Sequence, residues 1–205
     1  MQSVKNCLNN MLLKNRNSFS KEPTVKDQEI FKKSFKSKNS NGRIAIILGY
    51  YNGENFIEAQ LHSIMKQSYK NFKVFIFDDC SKKKINLNQT KLNNYEKSKI
   101  KVFRRKNNIG FQNNFLDALS NTPDVFDYFS FCDQDDIWDK HKLRRAFDMI
   151  NRLPKDKPAL YCARTEISDA NCKRKLGLSP LFLKKPSFSN ALVQNICGGN
   201  TMLFN

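Results

Sequence analysis

The sequence lacks several features that mark large classes of protein. No run approaches the roughly 20 apolar residues of a membrane-spanning helix, and the longest strongly apolar stretch covers residues 44–48, which excludes an integral membrane protein. The 6 cysteines include no C-x-x-C pair, so neither a zinc knuckle nor a thioredoxin-like redox site is indicated. Asn and Lys flank the short apolar run at residues 11–13, so the core of a secretory signal is missing as well. We therefore expect a cytoplasmic protein with reduced cysteines.

Acidic residues are also scarce, and this gives the chain a strong positive charge. The 205 residues contain 36 Lys and Arg but only 19 Asp and Glu, a formal net charge of +17. Residues 1–42 hold nine Lys and Arg against three Asp and Glu, with many Asn and Ser and little periodic hydrophobicity. This composition predicts a basic, disordered tail over residues 1–42, followed by one folded domain over residues 43–205.

From residue 43 onwards, apolar runs of strand length alternate with segments of helical periodicity. Strands are predicted over 43–49, 72–77, 100–103, 126–132 and 159–163, and helices over 54–67, 86–97, 138–152 and from 110 onwards. Strands that alternate with helices are typical of a parallel sheet with right-handed crossover connections. The pattern therefore predicts an α/β fold in which a mostly parallel sheet is flanked by helices.

Two carboxylate clusters stand out in this basic sequence because each follows a predicted strand. Asp78 and Asp79 end the second strand, and Asp133, Asp135 and Asp136 follow the fourth. Parallel strands present their carboxyl ends at one edge of the sheet, where ligands bind. Asp133 and Asp135 are two residues apart, so in extended backbone both side chains point the same way and suit Mg²⁺ or Mn²⁺ on a diphosphate. The alternative is that single carboxylates cap the helices that follow.

Four short motifs follow one another along the folded part: Ile44-Ala-Ile-Ile-Leu-Gly-Tyr-Tyr-Asn-Gly-Glu54, Phe77-Asp-Asp-Cys-Ser81, Asn108-Ile-Gly110 and Phe131-Cys-Asp-Gln-Asp-Asp-Ile-Trp138. Together they resemble family 2 glycosyltransferases of the GT-A fold, in particular the rhamnosyltransferase-like group. The segment Gly198-Gly-Asn-Thr-Met-Leu-Phe204 is similar to the strand near the acceptor side of such enzymes. The resemblance runs from Arg43 to the last residue and implies a Rossmann-like sheet that binds a nucleotide sugar.

The resemblance also implies roles for individual residues. It assigns nucleotide-sugar binding to Tyr50, Tyr51, Asn52, Glu54, Asp78, Asp79, Asn108, Gly110, Asp133 and Gln134. Asp79, together with Asp78, would accept a hydrogen bond from the pyrimidine base. Asp133 and Asp135 match the D-x-D motif that holds Mn²⁺ or Mg²⁺ on the donor diphosphate.

The resemblance implies partners as well. The donor would be a UDP- or dTDP-linked sugar, and the acceptor a glycan or lipid-linked glycan in bacterial surface polysaccharide or lipopolysaccharide synthesis. The expected place of action is the cytoplasm, including peripheral association with the inner face of the cell membrane. No nucleic acid is expected as a partner.

The sequence departs from the family pattern at three points. Gly49 replaces the usual Pro, and Cys80 replaces the usual Gly at a turn where a side chain disfavours positive φ. The carboxylate that serves as catalytic base in such enzymes is expected after the strand that ends here at Asn205, so no catalytic residue is assigned. We therefore expect the C-terminal part of the GT-A fold to be missing, and a truncated, inactive glycosyltransferase is one alternative.

Two further alternatives come from other classes of protein. The charge alone would suit a basic nucleic-acid-binding protein, although neither an aromatic RNP pair nor a helix-turn-helix is present. The segment from Asp133 to Ile137 also mimics the D-x-D-x-T or D-x-D-x-V motif of haloacid-dehalogenase-type phosphohydrolases. That motif belongs after the first strand, whereas here it follows the fourth predicted one, which disfavours the phosphohydrolase.

Overall fold

The computed structural model describes residues 42–169, 172, 174–181 and 187–205. The predicted basic tail over residues 1–42 lies outside these residues except for Gly42, so the tail stays a prediction. The strands are β1 (Ile44–Tyr50), β2 (Phe72–Asp78), β3 (Ile100–Arg104), β4 (Tyr128–Cys132), β5 (Leu160–Tyr161), β6 (Glu166–Ser168), β7 (Lys175–Leu178) and β8 (Leu203–Phe204). The α-helices are α1 (Ile57–Met65), α2 (Asn94–Ser98), α3 (Phe111–Asn121), α4 (Lys142–Ile150) and α5 (Phe188–Val193).

Six of these strands form one sheet in the order β3-β2-β1-β4-β8-β5, and β6 and β7 form a separate antiparallel pair. β1 pairs in parallel with both β2 and β4, and β2 pairs in parallel with β3. β8 is antiparallel to both of its neighbours. The predicted mostly parallel sheet flanked by helices is therefore confirmed. Strand order reverses between β1 and β4, and open α/β sheets leave a ligand-binding crevice at such a point.

Both faces of β1 are buried, which explains why its sequence is apolar without alternation. Ile46 and Leu48 belong to a core cluster shared with α1 and α4. Ala45 and Ile47 belong to a second cluster on the opposite face, shared with α3. Helices thus cover both sides of the strand. Full burial of an aliphatic side chain of this size contributes about 1.5–3 kcal/mol to stability, so β1 anchors the sheet on both faces.

The predicted helix over 86–97 is wrong. The Asn86 side chain accepts a hydrogen bond from the Asn88 N–H at 3.0 Å and opens a short 3₁₀ turn at Leu87–Gln89. α2 then begins at Asn94, after a capping box in which the Asn93 and Glu96 side chains each accept from the other's backbone N–H. Asn side chains compete for backbone N–H groups in this way and favour turns and helix starts over helix interiors, so two short elements replace one helix.

Other predicted elements are longer than those observed. The helix predicted over 138–152 begins only at Lys142, because the Trp138 N–H donates to Ser63 Oγ at 3.0 Å and the His141 N–H donates to Asp139 Oδ1 at 2.9 Å. The strand predicted over 159–163 is reduced to Leu160–Tyr161. None of the helices in the described residues is long and apolar enough to cross a membrane.

The two-faced burial of β1 makes a testable prediction about stability. Ile46→Ala removes a side chain that is fully buried and should lower the free energy of unfolding by about 2–5 kcal/mol, the usual cost of a core cavity. Val102→Ala on β3 is a matched control, because Val102 is 37% exposed and its truncation should cost less than about 1 kcal/mol. Urea denaturation measures both values, and equal losses would contradict the assignment of β1 as the buried centre of the sheet.

Candidate functional site

A cleft of about 580 Å³, called the first cleft below, lies beyond the carboxyl ends of β1, β2 and β4. Most of the predicted site residues line it: Tyr50, Tyr51, Asp79, Asn108, Gly110, Asp133, Gln134 and Asp135. The predicted residues thus come together although they lie more than 80 positions apart in sequence. Parallel pairing brings them together, because the register places Tyr50 beside Asp78 and Leu48 beside Cys132.

Three predicted residues are placed around the cleft without lining it: Asn52, Glu54 and Asp78. The Asn52 N–H donates to Ser81 Oγ, and its Oδ1 accepts from the Lys82 N–H, so Asn52 ties the loop after β1 to the loop after β2. Asp78 is buried, accepts from the Ser81 N–H at 2.8 Å, and pairs with Arg104 at 3.1 Å. In the structure, therefore, the side chains of Asn52 and Asp78 hold loops in place.

Asp79 organises the opposite wall of the first cleft. Its two carboxylate oxygens accept from the backbone N–H groups of Ile109 and Gly110, both at 2.9 Å. Asn108 adds a third link, since its Nδ2 donates to the Asp79 carbonyl at 3.1 Å. Gly110 has φ +84°, a conformation that glycine adopts without steric cost. Asp79, Asn108 and Gly110 therefore form one hydrogen-bonded unit at the end of β2.

Gln134 fixes the other wall through the backbone of Tyr51. Its Oε1 accepts from the Tyr51 N–H at 2.9 Å, and its Nε2 donates to the Tyr51 carbonyl at 3.2 Å. A Cβ added at Gly53 would overlap the Gln134 carboxamide. The glycine in the Asn52-Gly53-Glu54 turn is thus explained by close approach, and Gln134 joins the ends of β1 and β4.

Cys80 lies at the turn between Asp79 and Ser81 and adopts φ +65°. The sequence suggested strain at this position because a residue other than glycine replaces the usual glycine. Left-handed backbone costs a residue with a side chain on the order of 1 kcal/mol. The Cys80 Sγ donates to the Lys106 carbonyl at 3.2 Å, which ties the turn to the segment after β3.

Sequence reasoning missed several residues of the first cleft. Gly49, Phe111, Asn114 and Phe115 also line it, three of them from the first turns of α3. Asn114 is buried, and its Nδ2 donates to the Phe77 carbonyl at 2.9 Å. The available signal was the helical spacing that places Asn114 on the same face as Phe115 and Ala118, because a polar residue on a buried face needs a hydrogen-bond partner.

The acidic segment after β4 has distinctive electrostatics. Burial raises the pKa of Asp133 to about 6, and the neighbouring charges of Asp136 and Asp135 raise it further. Burial also raises the pKa of Asp136, although Asn200 Nδ2 donates to its Oδ2 at 2.6 Å and acts in the opposite direction. Asp135 and Asp136 do not cap α4, which begins at Lys142. Capping therefore does not explain these carboxylates.

Asp133 and Asp135 provide some, but not all, of the oxygen ligands that a divalent cation needs. Both carboxylates line the first cleft, and mutual repulsion of close carboxylates favours a positive partner between them. Within residues 42–169, 172, 174–181 and 187–205, no group of three or more His, Cys, Asp or Glu side chains is arranged to hold a metal ion. Two carboxylates would therefore need further oxygen ligands from a bound molecule, as Mg²⁺ sites on phosphates do.

A second cleft of about 590 Å³ adjoins the first, and Asp135 lines both. Its lining includes Asp136 and Asn200, and also Trp138 from the segment before α4 and Lys142, the first residue of α4. Lys142 Nζ lies 3.7 Å from the centroid of the Trp138 ring, and burial lowers the pKa of Lys142 to about 8. The two clefts together form one open surface on either side of Asp135.

The contact between Gly53 and Gln134 makes a testable prediction. Gly53→Ala should displace the Gln134 carboxamide, break its two exposed hydrogen bonds with Tyr51 and lower the free energy of unfolding by about 0.5–1.5 kcal/mol. Gly199→Ala is the matched control, because a Cβ there meets no heavy atom of the described residues within 4 Å. Thermal and urea unfolding compare the variants, and an unchanged Gly53→Ala protein would show that the close approach is not restrictive.

The chain is similar to known proteins over most of these residues. The model of glycosyl transferase family 2 matches residues 45–204. The dTDP-rhamnosyl transferase RfbG of Shigella flexneri is 36% identical over 103 residues, which cover 49% of this chain and 35% of RfbG. The succinoglycan biosynthesis protein ExoW of Rhizobium meliloti is 25% identical over 166 residues, which cover 75% of this chain and 51% of ExoW.

Solved structures are similar over a shorter part. The crystal structure of S. aureus TarS 1-349 aligns with a TM-score of 0.45 and 26% identity, covering 54% of this chain and 32% of TarS 1-349. The chain spans about a third of RfbG and about half of ExoW.

Proposed function

Because the chain belongs to glycosyl transferase family 2, we propose that its first cleft binds a nucleoside diphosphate sugar. We further propose that the protein transfers the sugar to a glycan or lipid-linked acceptor during synthesis of a bacterial surface polysaccharide. The observation that supports this proposal most strongly is that one cleft has two chemically different walls. Asp79 and its hydrogen-bonded loop form one wall, and Asp133 and Asp135 form the other.

The Asp79 wall suits the base of a uridine or thymidine nucleotide. Uracil and thymine carry an N–H at N3, and a fixed carboxylate is a strong acceptor for such a donor. Tyr51 and Phe111 line the same cleft and are 48% and 68% exposed, so their rings are accessible for stacking. Asp79 is itself well anchored by Ile109 and Gly110, which keeps its position fixed when a ligand binds.

The Asp133 and Asp135 wall suits the diphosphate. These two residues would hold Mn²⁺ or Mg²⁺ together with diphosphate oxygens, and the cation, when bound, would neutralise charge on the leaving nucleoside diphosphate. Gln134 keeps the wall in register with β1 through its two bonds to Tyr51. The chain's own contribution is therefore to orient the phosphate end of the donor between the ends of β1 and β4.

The second cleft suits the acceptor. It meets the first cleft at Asp135, so a hydroxyl group presented there would approach the sugar from the side away from the base. Acceptor identity, peripheral membrane association and cytoplasmic location stay predictions. The phosphohydrolase alternative is disfavoured because Asp133 and Asp135 follow β4 and not the first strand of the sheet.

Donor binding tests this function directly. Titration calorimetry with UDP- and dTDP-sugars, each with and without Mn²⁺, should detect metal-dependent binding to the purified protein. Asp135→Asn should weaken metal-dependent binding by at least about tenfold, because it removes one anionic ligand, while the thermal midpoint changes little. Asp139→Asn is the matched control: Asp139 is a nearby exposed carboxylate that pairs with Arg145 and does not line the first cleft.

Four outcomes distinguish the candidate functions. Metal-dependent binding that is lost in Asp135→Asn and kept in Asp139→Asn supports the donor site. A folded wild-type protein that binds none of these donors under either condition overturns it. Donor binding without any transfer or donor hydrolysis would favour the alternative of an inactive glycosyltransferase, and a salt-dependent gel shift in place of donor binding would favour a nucleic-acid binder.

A further inference from the structure

Arg105 is buried at the centre of a charged cluster beside the first cleft. Its side chain has no exposed surface, although it carries a full positive charge. Nε lies 3.7 Å from Asp79 Oδ1 and donates to Asn114 Oδ1 at 2.8 Å. Nη2 lies 2.7 Å from Asp117 Oδ2. We call Asp79, Arg105, Asn114 and Asp117 the Arg105 cluster.

The Arg105 cluster joins three elements that meet at the first cleft. The Arg105 N–H donates to the Asp78 carbonyl at 2.9 Å, which continues the pairing of β3 with β2. Asn114 connects α3 to the end of β2 through the Phe77 carbonyl, and Asp117 lies one turn further along α3. The guanidinium therefore places a positive charge between the Asp79 carboxylate and α3, 3.7 Å from the same Oδ1 that accepts from the Ile109 N–H.

Stability alone is a weak reason for such an arrangement. Burying a guanidinium and two carboxylates has a large desolvation cost, and apolar residues of similar volume are often as stable or more stable at such sites. The guanidinium offers something that apolar residues do not, which is a planar set of donors that fixes the orientation of its partners. Two of its partners, Asp79 and Asn114, line the first cleft, and Asp79 is the charged one.

We propose that Arg105 is a positioning residue that sets the selectivity of the first cleft for nucleotides whose base carries an N3–H, uridine and thymidine, over cytidine. This inference rests on the proposed function. The Arg105 charge lies 3.7 Å from Asp79 Oδ1 and attracts the carboxylate toward α3, and the same carboxylate accepts hydrogen bonds from the Ile109 and Gly110 amides. Cytosine presents a lone pair at N3, which a fixed carboxylate repels, whereas uracil presents a hydrogen.

Nucleotide binding provides the first test. Arg105→Lys keeps the positive charge but cannot contact Asp79, Asn114 and Asp117 at once. In calorimetry with Mn²⁺, it should weaken UDP binding by about tenfold and leave CDP binding nearly unchanged, so the preference for UDP over CDP falls by about tenfold. Arg144→Lys on α4 is the matched control, because Arg144 is exposed and pairs only with Asp148 among acidic side chains of the described residues.

A paired variant separates positioning from a merely structural role. Arg105→Met combined with Asp117→Leu removes the closest ion pair of the Arg105 cluster and fills the space with apolar groups, while Asp79 keeps its hydrogen bonds from the Ile109 and Gly110 amides, so the protein should stay folded. If Arg105 only supports the fold, this variant should keep the wild-type preference for UDP over CDP. If Arg105 positions Asp79, the preference should be lost in a variant that is still folded. This variant also decides the question if Arg105→Lys fails to fold.

Amide hydrogen exchange of the nucleotide-free protein is an independent readout. In Arg105→Lys, exchange at Ile109 and Gly110 should accelerate by about tenfold relative to amides of β1. The reason is that Arg105 no longer holds the Asp79 carboxylate, which accepts the hydrogen bonds of these two amides. Ile150→Val, a core substitution at the far end of α4, controls for a general loss of stability.

The outcomes are distinguishable. An unchanged UDP-to-CDP ratio in a folded Arg105→Lys or paired variant overturns the proposal, whatever happens to the thermal midpoint. If the wild-type protein binds neither nucleotide, the proposed function and the selectivity of Arg105 both fail. Accelerated exchange at Ile109 and Gly110 would still show in that case that Arg105 positions the loop, and unchanged exchange would overturn that part too.

Discussion

Parallel pairing of β1 with both β2 and β4 is the constraint on which the rest of this structure depends. It brings the ends of three strands to one edge of the sheet, so that residues after position 50, after position 78 and after position 132 share one cleft. Helices on both faces make this pairing stable, because each face of β1 contributes side chains to its own apolar core. The chemistry of the cleft then depends only on the loops that follow these strands.

Those loops are held by side chains that bond to backbone groups of their neighbours. Gln134 binds the backbone of Tyr51, Asn52 and Asp78 bind the segment at 81–82, and Asp79 binds the backbone at 109–110. The Asp78 contact lies within the loop after β2, and the others cross from one strand end to another, so the cleft is preorganised before any ligand enters. Preorganisation would favour the proposed sugar transfer, because ordering of the site then costs little when a ligand binds.

The sequence allowed prediction of the strands that build the cleft, because buried parallel strands have continuous apolar runs and their ends carried clustered carboxylates. Asp79, Asp133 and Asp135 could be placed on one edge for that reason. Arg105 could not be distinguished among 36 basic residues, since its burial depends on α3 packing over the ends of β2 and β3. The direction of the two-residue strand β8 could not be predicted either, because its antiparallel pairing with β4 depends on contacts about 75 positions apart.

Local charge, and not net charge, determines what this surface can bind. The net charge of +17 is distributed along the whole sequence, and water and salt screen exposed charges beyond a Debye length of about 8 Å. Asp133 lies partly buried beside Asp135 and Asp136, where screening is weak, and its raised pKa reflects burial and these close carboxylates despite the basic surplus. A cation between Asp133 and Asp135 would therefore be attracted by the local field of a protein that, as a whole, repels cations. The same reasoning applies on the other wall, where the buried positive charge of Arg105 acts on Asp79 at close range and the surface lysines do not.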